Sequence, residues 1–291
     1  MRALLLSTVA CCVSAPGWSQ TPAGRIAGRI LDPSGAAVAQ AQVEALHRET
    51  GRRRVSQSGE RGVYRFAVLP VGNYELTPSA PKFRGLPRRV RLEVGRHLSV
   101  DLSLSLETER ARITVTDSTP LIDPDNAGLG AVISRETLAD LPLNQREFLQ
   151  LALLSAGALP AAPGSELERQ NNSGLHVNGA REASNNFLLD GVDNNDLYIN
   201  RIVVSPPLDS VREFRLHAAN YRAEYGRGGG AQINVVTQGG ANRLHGSFYE
   251  YLRNEALDAR NFFDPGDRPI PPFKRHQFGG SLGGPIRREK T

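Results

Sequence analysis

Oxygen-bearing side chains are concentrated in one short segment that could bind a metal ion. The segment contains five of them: Asp190, Asp193, Asn194, Asn195 and Asp196. A calcium-binding loop supplies an oxygen at nearly every second position and needs a glycine at its sharp turn. Counting from Asp193, the alternation fails at Leu197 and the glycine is missing. The spacing therefore argues against a calcium site.

A second segment with possible chemistry is the glycine-rich run from Gly226 to Ala231. It matches the pattern G-x-G-x-x-G/A of dinucleotide-binding proteins, but that pattern must follow a strand and open a helix whose N-terminus binds the phosphates. Here strand-like residues, Ile233 to Val236, follow the glycines. We therefore expect Gly228, Gly229 and Gly230 to form a tight backbone corner, where close approach and positive φ need the missing side chain.

The remaining reactive residue types do not assemble into a recognisable catalytic or metal-binding set. Both cysteines, Cys11 and Cys12, lie in the first twelve residues, and the six histidines are scattered singly: His47, His97, His176, His217, His245 and His276. No two histidines have the three- or four-residue spacing of chelating pairs on one helix face. With no nucleophile, base and acid in a recognisable pattern, we expect no enzyme, no metal and no cofactor.

The charge pattern disfavours nucleic-acid binding. The formal net charge is +5, and only Lys82, Lys274 and Lys290 are lysines among 35 basic residues. An arginine excess of this kind can reflect codon composition, and no long basic block or aromatic-interleaved patch is present.

The first nineteen residues are predicted to be a secretory signal peptide. Arg2 precedes an apolar run from Ala3 to Val13, and small residues lead to Ser19 and Gln20, between which we expect cleavage. The apolar run is well short of the roughly 20 residues that cross a bilayer.

Residues 20–106 have the pattern of a small β-sandwich. Short alternating segments are separated by turns about every ten residues. Strands are predicted at Ile26–Leu31, Ala41–Leu46, Gly62–Phe66, Asn73–Thr77, Val90–Val94 and Leu98–Leu106. In the last of them, leucines and a valine alternate with serines and an aspartate, so that one face is apolar and the other polar.

Three features in this region resemble the carboxypeptidase regulatory-like domain. They are the turn after Gly28–Leu31, the aromatic strand Gly62–Phe66, and the Leu-Pro-x-Gly-x-Tyr corner at Leu69–Tyr74. The resemblance implies a non-catalytic, prealbumin-like sandwich. In that family the module is often linked to carbohydrate binding, but the sequence shows no exposed aromatic cluster for stacking on sugars, so a structural role is favoured.

Residues 107–117 are predicted to be a linker with an extended segment. Four β-favouring residues, Ile113, Thr114, Val115 and Thr116, lie between polar flanks. The segment resembles the TonB box, which pairs as an added strand with the periplasmic domain of TonB. The alternative is that it forms the first strand of the next domain.

Residues 118–240 are predicted to form an α+β domain. Asn144 can cap a helix that includes Phe148–Leu154, and the Glu147 side chain can complete the capping box. A loop follows from Gly164 to Gly174, and after it Leu175–Gly179 and Asn186–Asp193 have a strand, turn, strand pattern. Three ordered segments, Leu189–Asp193, Val211–Phe214 and Tyr225–Thr237, resemble the plug of TonB-dependent receptors. The matching residues include Asp190, Gly191, Asp193, Gly228, Gly229, Gly230 and Asn234.

Residues 241–291 resemble the opening strands of an outer-membrane β-barrel in Oar-like TonB-dependent transporters. Strands are predicted at Leu244–Arg253, whose faces do not separate cleanly, and at Gln277–Ile286, with Phe278, Leu282 and Ile286 on one side. Plugged barrels have about 22 strands, and their last strand usually contains aromatic residues. Only two strands are predicted here, and the sequence ends at Lys290 and Thr291. We therefore expect this chain to be a fragment or the product of a truncated gene.

The predicted fold is thus mainly β: a prealbumin-like sandwich, an α+β TonB-receptor plug domain, and the first strands of an incomplete outer-membrane β-barrel. The resemblance implies that the chain is the N-terminal part of a transporter in the outer membrane, where the full-length protein contacts membrane lipid. The sandwich would lie in the periplasm. The implied partner is TonB, and the implied substrate is an oligosaccharide or a peptide. The alternative is a secreted carbohydrate-binding or adhesive sandwich protein.

Overall fold

The computed structural model describes residues 23–106, 128–141, 143, 147–169, 174–222, 225–260, 262–263 and 265–288. The predicted signal peptide, with Ser19 and Gln20, and the predicted linker of residues 107–117 lie outside this part of the chain. Within it, strands predominate and the helices are short. No helix in the described ranges is long and apolar enough to cross a bilayer.

The first domain is a nearly closed β-sheet folded around one apolar core. Its strands are β1 (Ala23–Leu31), β2 (Gln42–His47), β3 (Arg53–Gln57), β4 (Val63–Pro70), β5 (Gly72–Ala80), β6 (Phe83–Gly85), β7 (Arg88–Leu92), β8 (His97–Ser99) and β9 (Leu102–Leu106). They are paired in the order β3-β2-β5-β6-β9-β1-β4, while β7 pairs with β5 and β8 with β1.

Aromatic side chains fill the centre of this core. Tyr64 and Tyr74 are 0% and 2% exposed, and Phe66 is also buried. The two buried hydroxyl groups donate to backbone carbonyls, that of Tyr64 to Val100 at 2.6 Å and that of Tyr74 to Pro70 at 2.8 Å. Because a buried hydroxyl without a partner is costly, these bonds allow the rings to lie inside.

The sandwich contains two strands that the sequence pattern did not predict, and one predicted strand is divided. Strand β3 is an exposed edge strand with a largely polar sequence, and β6 has only three residues. The predicted strand Leu98–Leu106 is interrupted between β8 and β9, where the Asp101 carboxylate accepts a hydrogen bond from the Arg29 amide at 2.7 Å. The apolar alternation continues through the interruption, since Val100 is buried.

The second domain is built on a mixed sheet in the order β10-β15-β16-β13-β14. Its strands are β10 (Leu129–Ser134), β13 (Asn186–Leu189), β14 (Val192–Asp193), β15 (Val211–Ala219) and β16 (Gln232–Thr237), and a separate ribbon joins β11 (Ala158–Pro160) to β12 (Leu175–Val177). The α-helices are α1 (Arg135–Asp140) and α2 (Glu166–Arg169).

The helix predicted at Phe148–Leu154 is present at that position, but it is a 3₁₀ helix. Three of its side chains, Phe148, Leu149 and Leu151, pack into the core against the sheet. Asn144 lies outside the described residues, and Glu147 makes no side-chain capping bond. The predicted loop between Gly164 and Gly174 contains the single helical turn α2.

The last described element is a long hairpin of β17 (His245–Asn254) and β18 (Lys274–Gly283). Ten residue pairs run from His245 opposite Gly283 to Asn254 opposite Lys274. This register places Phe248, Leu252, Phe278 and Leu282 on one face. The two faces of β17, which could not be separated from its sequence alone, are therefore defined by its pairing with β18.

Candidate functional site

Asp190 and Gly191 form the two-residue turn between β13 and β14. Their φ angles are 51° and 78°, as a type I′ hairpin turn requires at both positions. The Asp190 carboxylate accepts hydrogen bonds from the Thr237 amide at 2.8 Å and from the Thr237 hydroxyl at 2.6 Å. The carboxylate thus ties the turn to the end of β16.

We expect Asp190→Ala to destabilise the second domain by about 1 to 3 kcal/mol, because it leaves the Thr237 amide without an acceptor and puts alanine at a positive φ. Asp190→Asn should cost less, since asparagine tolerates this φ and keeps one oxygen. Hydrogen exchange of the β16 amides measures the difference. Equal exchange in the two variants would contradict this role for the carboxylate.

Asp193 holds the glycine-rich segment in place. Its Oδ2 pairs with Arg227 Nη1 at 2.8 Å, and its Oδ1 accepts a hydrogen bond from the Asn195 amide at 3.0 Å. Asp196 instead accepts bonds from the amides of Tyr198 and Ile199. These bonds, with the Ile199 amide first, lower the pKa of Asp196. The carboxylates of Asp193 and Asp196 therefore bind backbone amides and an arginine side chain. The described residues contain no group of three or more His, Cys, Asp or Glu that could hold a metal ion.

The glycines form a close backbone corner against Ser184. A Cβ atom on Gly228 would lie 2.1 Å from the Ser184 carbonyl oxygen, and one on Gly230 would lie 2.8 Å from it. Around Gly229 there is open space. The expected close approach thus applies to two of the three glycines. The expected positive φ is wrong for all three, because Arg227 adopts it instead, at 70°.

A network of buried amide side chains links this corner to the sheet. Asn185 donates to the Leu175 carbonyl at 2.6 Å and accepts from the Ala231 amide at 2.9 Å. Asn186 donates to Gln232 at 2.7 Å and accepts from Asn195 at 2.8 Å. Each of these amides is at most 8% exposed, so that β13, β16 and the corner are joined by hydrogen bonds inside the domain.

The sheet has a second, polar face that is also buried. Along β15 and β16, Phe214, Leu216, Ile233 and Val235 belong to the apolar core, and the alternate residues point the other way. Those alternate residues are Glu213, Arg215, His217, Gln232, Asn234 and Val236, all less than 9% exposed. Asn234, one of the predicted plug residues, lies on this face.

The sandwich covers part of this polar face with the turn between β7 and β8. The Val94 amide donates to Glu213 Oε1 at 2.8 Å, and the Val94 carbonyl accepts a bond from Arg215 Nη1. Val94, Val71 and Val236 form a small apolar cluster beside these bonds. One residue of the sandwich is thus held through both of its backbone groups.

Burial shifts the pKa values of two groups on this face. It raises the pKa of Glu213, against the opposing effect of the Val94 hydrogen bond, and it lowers the pKa of His217 to about 4. The His217 imidazole is therefore neutral at pH 7. Among the described residues, Nε2 of His217 and Oδ1 of Asn234 have no hydrogen-bond partner.

The structure brings most of the predicted plug residues into one assembly. Asp190, Gly191, Asp193 and the three glycines surround the ends of β13 and β16, whereas Asn234 lies on the polar face. The predicted coupling strand, Ile113, Thr114, Val115 and Thr116, lies outside the described residues. Sequence reasoning assigned no individual role to Asn185, Glu213 and Arg215, because their partners are far away along the chain or are backbone groups.

Solved structures share only limited likeness with the chain. Chlorocatechol 1,2-dioxygenase from Pseudomonas putida is 11% identical with a TM-score of 0.25, covering 29% of this chain and 61% of that one. Catechol 1,2-dioxygenase from Acinetobacter sp. ADP1 is 15% identical with a TM-score of 0.28, covering 37% and 60%. At these scores the likeness supports no inference about activity.

Sequence relatives are more informative. The carboxypeptidase regulatory-like domain family matches residues 25–105, and the outer membrane beta barrel domain family matches residues 236–291. The TonB-dependent transporter Oar of Myxococcus xanthus is 26% identical over an alignment of 244 residues that covers 79% of this chain and 22% of that protein. These matches confirm the resemblance found in the sequence. The chain is similar to the Oar transporter, carries a carboxypeptidase regulatory-like domain, matches an outer membrane β-barrel domain over residues 236–291, and is located at the outer membrane.

Proposed function

We propose that this chain is the N-terminal part of a TonB-dependent outer-membrane transporter in which a plug domain gates energised uptake. The observation that carries the proposal is the hairpin that follows the second domain. Its face with Phe248, Leu252, Phe278 and Leu282 is exposed, and its opposite face, with Ser247 and Ser281, is partly covered.

The exposed face of this hairpin is the apolar one, whereas in a water-soluble protein the apolar face of a strand pair is the covered one. Phe248 is 89% exposed, and Phe278 and Leu282 are each 75% exposed. Strands of outer-membrane barrels alternate an apolar, lipid-facing side with a polar, lumen-facing side. Four polar side chains also lie on the exposed face: Glu250 and His276 contact each other at 3.4 Å, and Asn254 and Lys274 are paired at its end. The apolar face therefore suits lipid.

The second domain has the construction that a plug needs. Its strands are joined by the Asp190 carboxylate, the amide network and the glycine corner, so that it forms a compact body immediately before the hairpin. In the proposed transporter this body closes the barrel lumen, and a pull on the chain preceding it rearranges it to admit substrate.

The sandwich is proposed to lie in the periplasm as a structural extension of the plug. Three of its aromatic side chains, Tyr64, Phe66 and Tyr74, are buried, and Phe83 packs against the core. They are unavailable for stacking on sugar rings. This placement favours transport over the alternative of a secreted carbohydrate-binding or adhesive sandwich protein. The substrate, an oligosaccharide or a peptide, is assigned to the barrel.

The proposed partner is the periplasmic domain of TonB, bound through Ile113–Thr116. We expect Val115→Pro to weaken capture of this domain at least roughly tenfold, because proline removes a backbone donor from the added strand and disrupts its ladder. Val115→Ala keeps the donor and should bind within about threefold of the wild type. A pull-down with purified TonB domain measures both. Wild-type binding by the proline variant would reject Ile113–Thr116 as the coupling strand.

A further inference from the structure

A cavity of about 300 Å³ lies where three parts of the chain meet. The sandwich contributes Glu49 and Arg91, the second domain contributes Arg135, Arg212 and Glu213, and the segment entering the hairpin contributes Arg243. Its volume is at the lower end of the range for small-molecule sites, about 300 to 1,000 Å³. Four arginines thus line one small cavity together with only two carboxylates.

Both carboxylates already have partners within the protein. Glu49 Oε2 pairs with Arg212 Nη2 at 2.5 Å, and its Oε1 accepts a bond from the Asn73 side chain at 3.0 Å. Glu213 accepts its bond from the Val94 amide, and burial raises its pKa. The carboxylates therefore offset the arginine charge only in part.

Two of the arginines have no ion pair in the described part of the chain. They are Arg135, at the start of α1, and Arg243, just before β17. Neither side chain has a hydrogen bond or ion pair with any described residue. A guanidinium group binds carboxylate and phosphate oxygens through paired N–H donors, and like charges gathered in one cavity repel each other unless an anion lies between them.

We propose that this cavity is a binding site for a small polyanion carrying two carboxylate or phosphate groups, held by Arg135 and Arg243 with Arg91 and Arg212 at its sides. Because the cavity is lined by the sandwich, the second domain and the hairpin entry, such a ligand bridges all three. The site is independent of the transport activity proposed above.

The test is isothermal titration calorimetry of residues 20–291 in detergent, with inorganic pyrophosphate and with succinate as probes. We expect saturable binding of at least one probe that weakens as salt is raised. The double variant Arg135→Gln/Arg243→Gln should weaken it at least roughly tenfold, since it removes two charge-assisted contacts. Arg65→Gln is the matched control, because Arg65 is an exposed arginine of β4 that does not line the cavity.

Binding of either probe that the double variant loses and the control retains supports the site, and the stronger probe identifies the preferred oxyanion. Binding that persists in the double variant, or no saturable binding of either probe, overturns the proposal. Unchanged hydrogen exchange in β15 and β16 of the double variant establishes that a loss of binding is not a loss of fold.

Discussion

Gly228→Ala should destabilise the second domain by about 1 to 3 kcal/mol, the usual cost of forcing an extra carbon into a filled site, whereas Gly229→Ala should change its stability by less than about 0.5 kcal/mol. Hydrogen exchange of the amides in β13 and β16 measures the effect. A loss of this size corresponds to exchange that is roughly five- to more than a hundredfold faster.

The difference follows from what each new methyl group meets. On Gly228 it would lie 2.1 Å from the Ser184 carbonyl oxygen, a backbone atom that cannot rotate away. On Gly229 no heavy atom lies within 4 Å. The corner therefore has to open in the first variant and can remain as it is in the second.

Gly230→Ala should resemble Gly228→Ala. Its methyl group would lie 2.7 Å from Asn185 Oδ1 and 2.8 Å from the Ser184 oxygen, and the Gly230 amide donates to that same oxygen at 2.9 Å. Asn185 cannot swing aside freely, because it also bonds to Leu175 and Ala231. If Gly229→Ala accelerated exchange as much as the other two variants, packing against Ser184 would not be the reason for these glycines.

The sequence predicted those parts of the fold that depend on local pattern. Alternation in β9 and the apolar residues of β16 indicated strands, and the Asp190–Gly191 pair has the sequence of a type I′ turn. Strand β3 was missed because its five residues are mostly polar and lie at an exposed edge, where no apolar face is needed. The 3₁₀ helix was predicted only as a helix, since burial of Phe148 and Leu151 is compatible with either helical geometry.

The contacts between the domains could not be predicted, because they join residues far apart in sequence. Glu213 and Val94 are separated by 119 positions, and Arg212 and Glu49 by 163. A charged residue on a strand ordinarily indicates a solvent-facing side. Glu213 and Arg215 are instead 4% and 6% exposed, and their hydrogen bonds to the Val94 backbone become evident only in the three-dimensional structure.

Val94→Asp should release the sandwich from the second domain. The Val94 side chain is 1% exposed, and its apolar cluster partners are Val71 and Val236. An aspartate there would be an unpaired buried charge, at an effective cost of several kcal/mol, beside the Glu213 carboxylate. The change is measurable by fluorescence transfer between dyes at Gly59→Cys and Leu197→Cys in a chain begun at Gln20, which has no other cysteine.

Undocking, rather than unfolding, is the expected response because Val94 is not part of the main apolar core of the sandwich, and its cluster includes Val236 across the domain boundary. A buried valine contributes about 1.5 to 3 kcal/mol and a hydrogen bond to a charged group about 1.5 to 3 kcal/mol, so a charge penalty of similar size shifts the docking equilibrium while leaving both cores intact.

Val68→Asp is the matched control, since Val68 is 66% exposed on β4, and it should keep the wild-type transfer efficiency. Adding Glu213→Gln to Val94→Asp should restore transfer only in part, because it removes the repulsion between the two carboxylates and leaves the introduced carboxylate desolvated. Wild-type transfer in Val94→Asp itself would mean that the contacts of Glu213 and Arg215 with this turn do not hold the domains together.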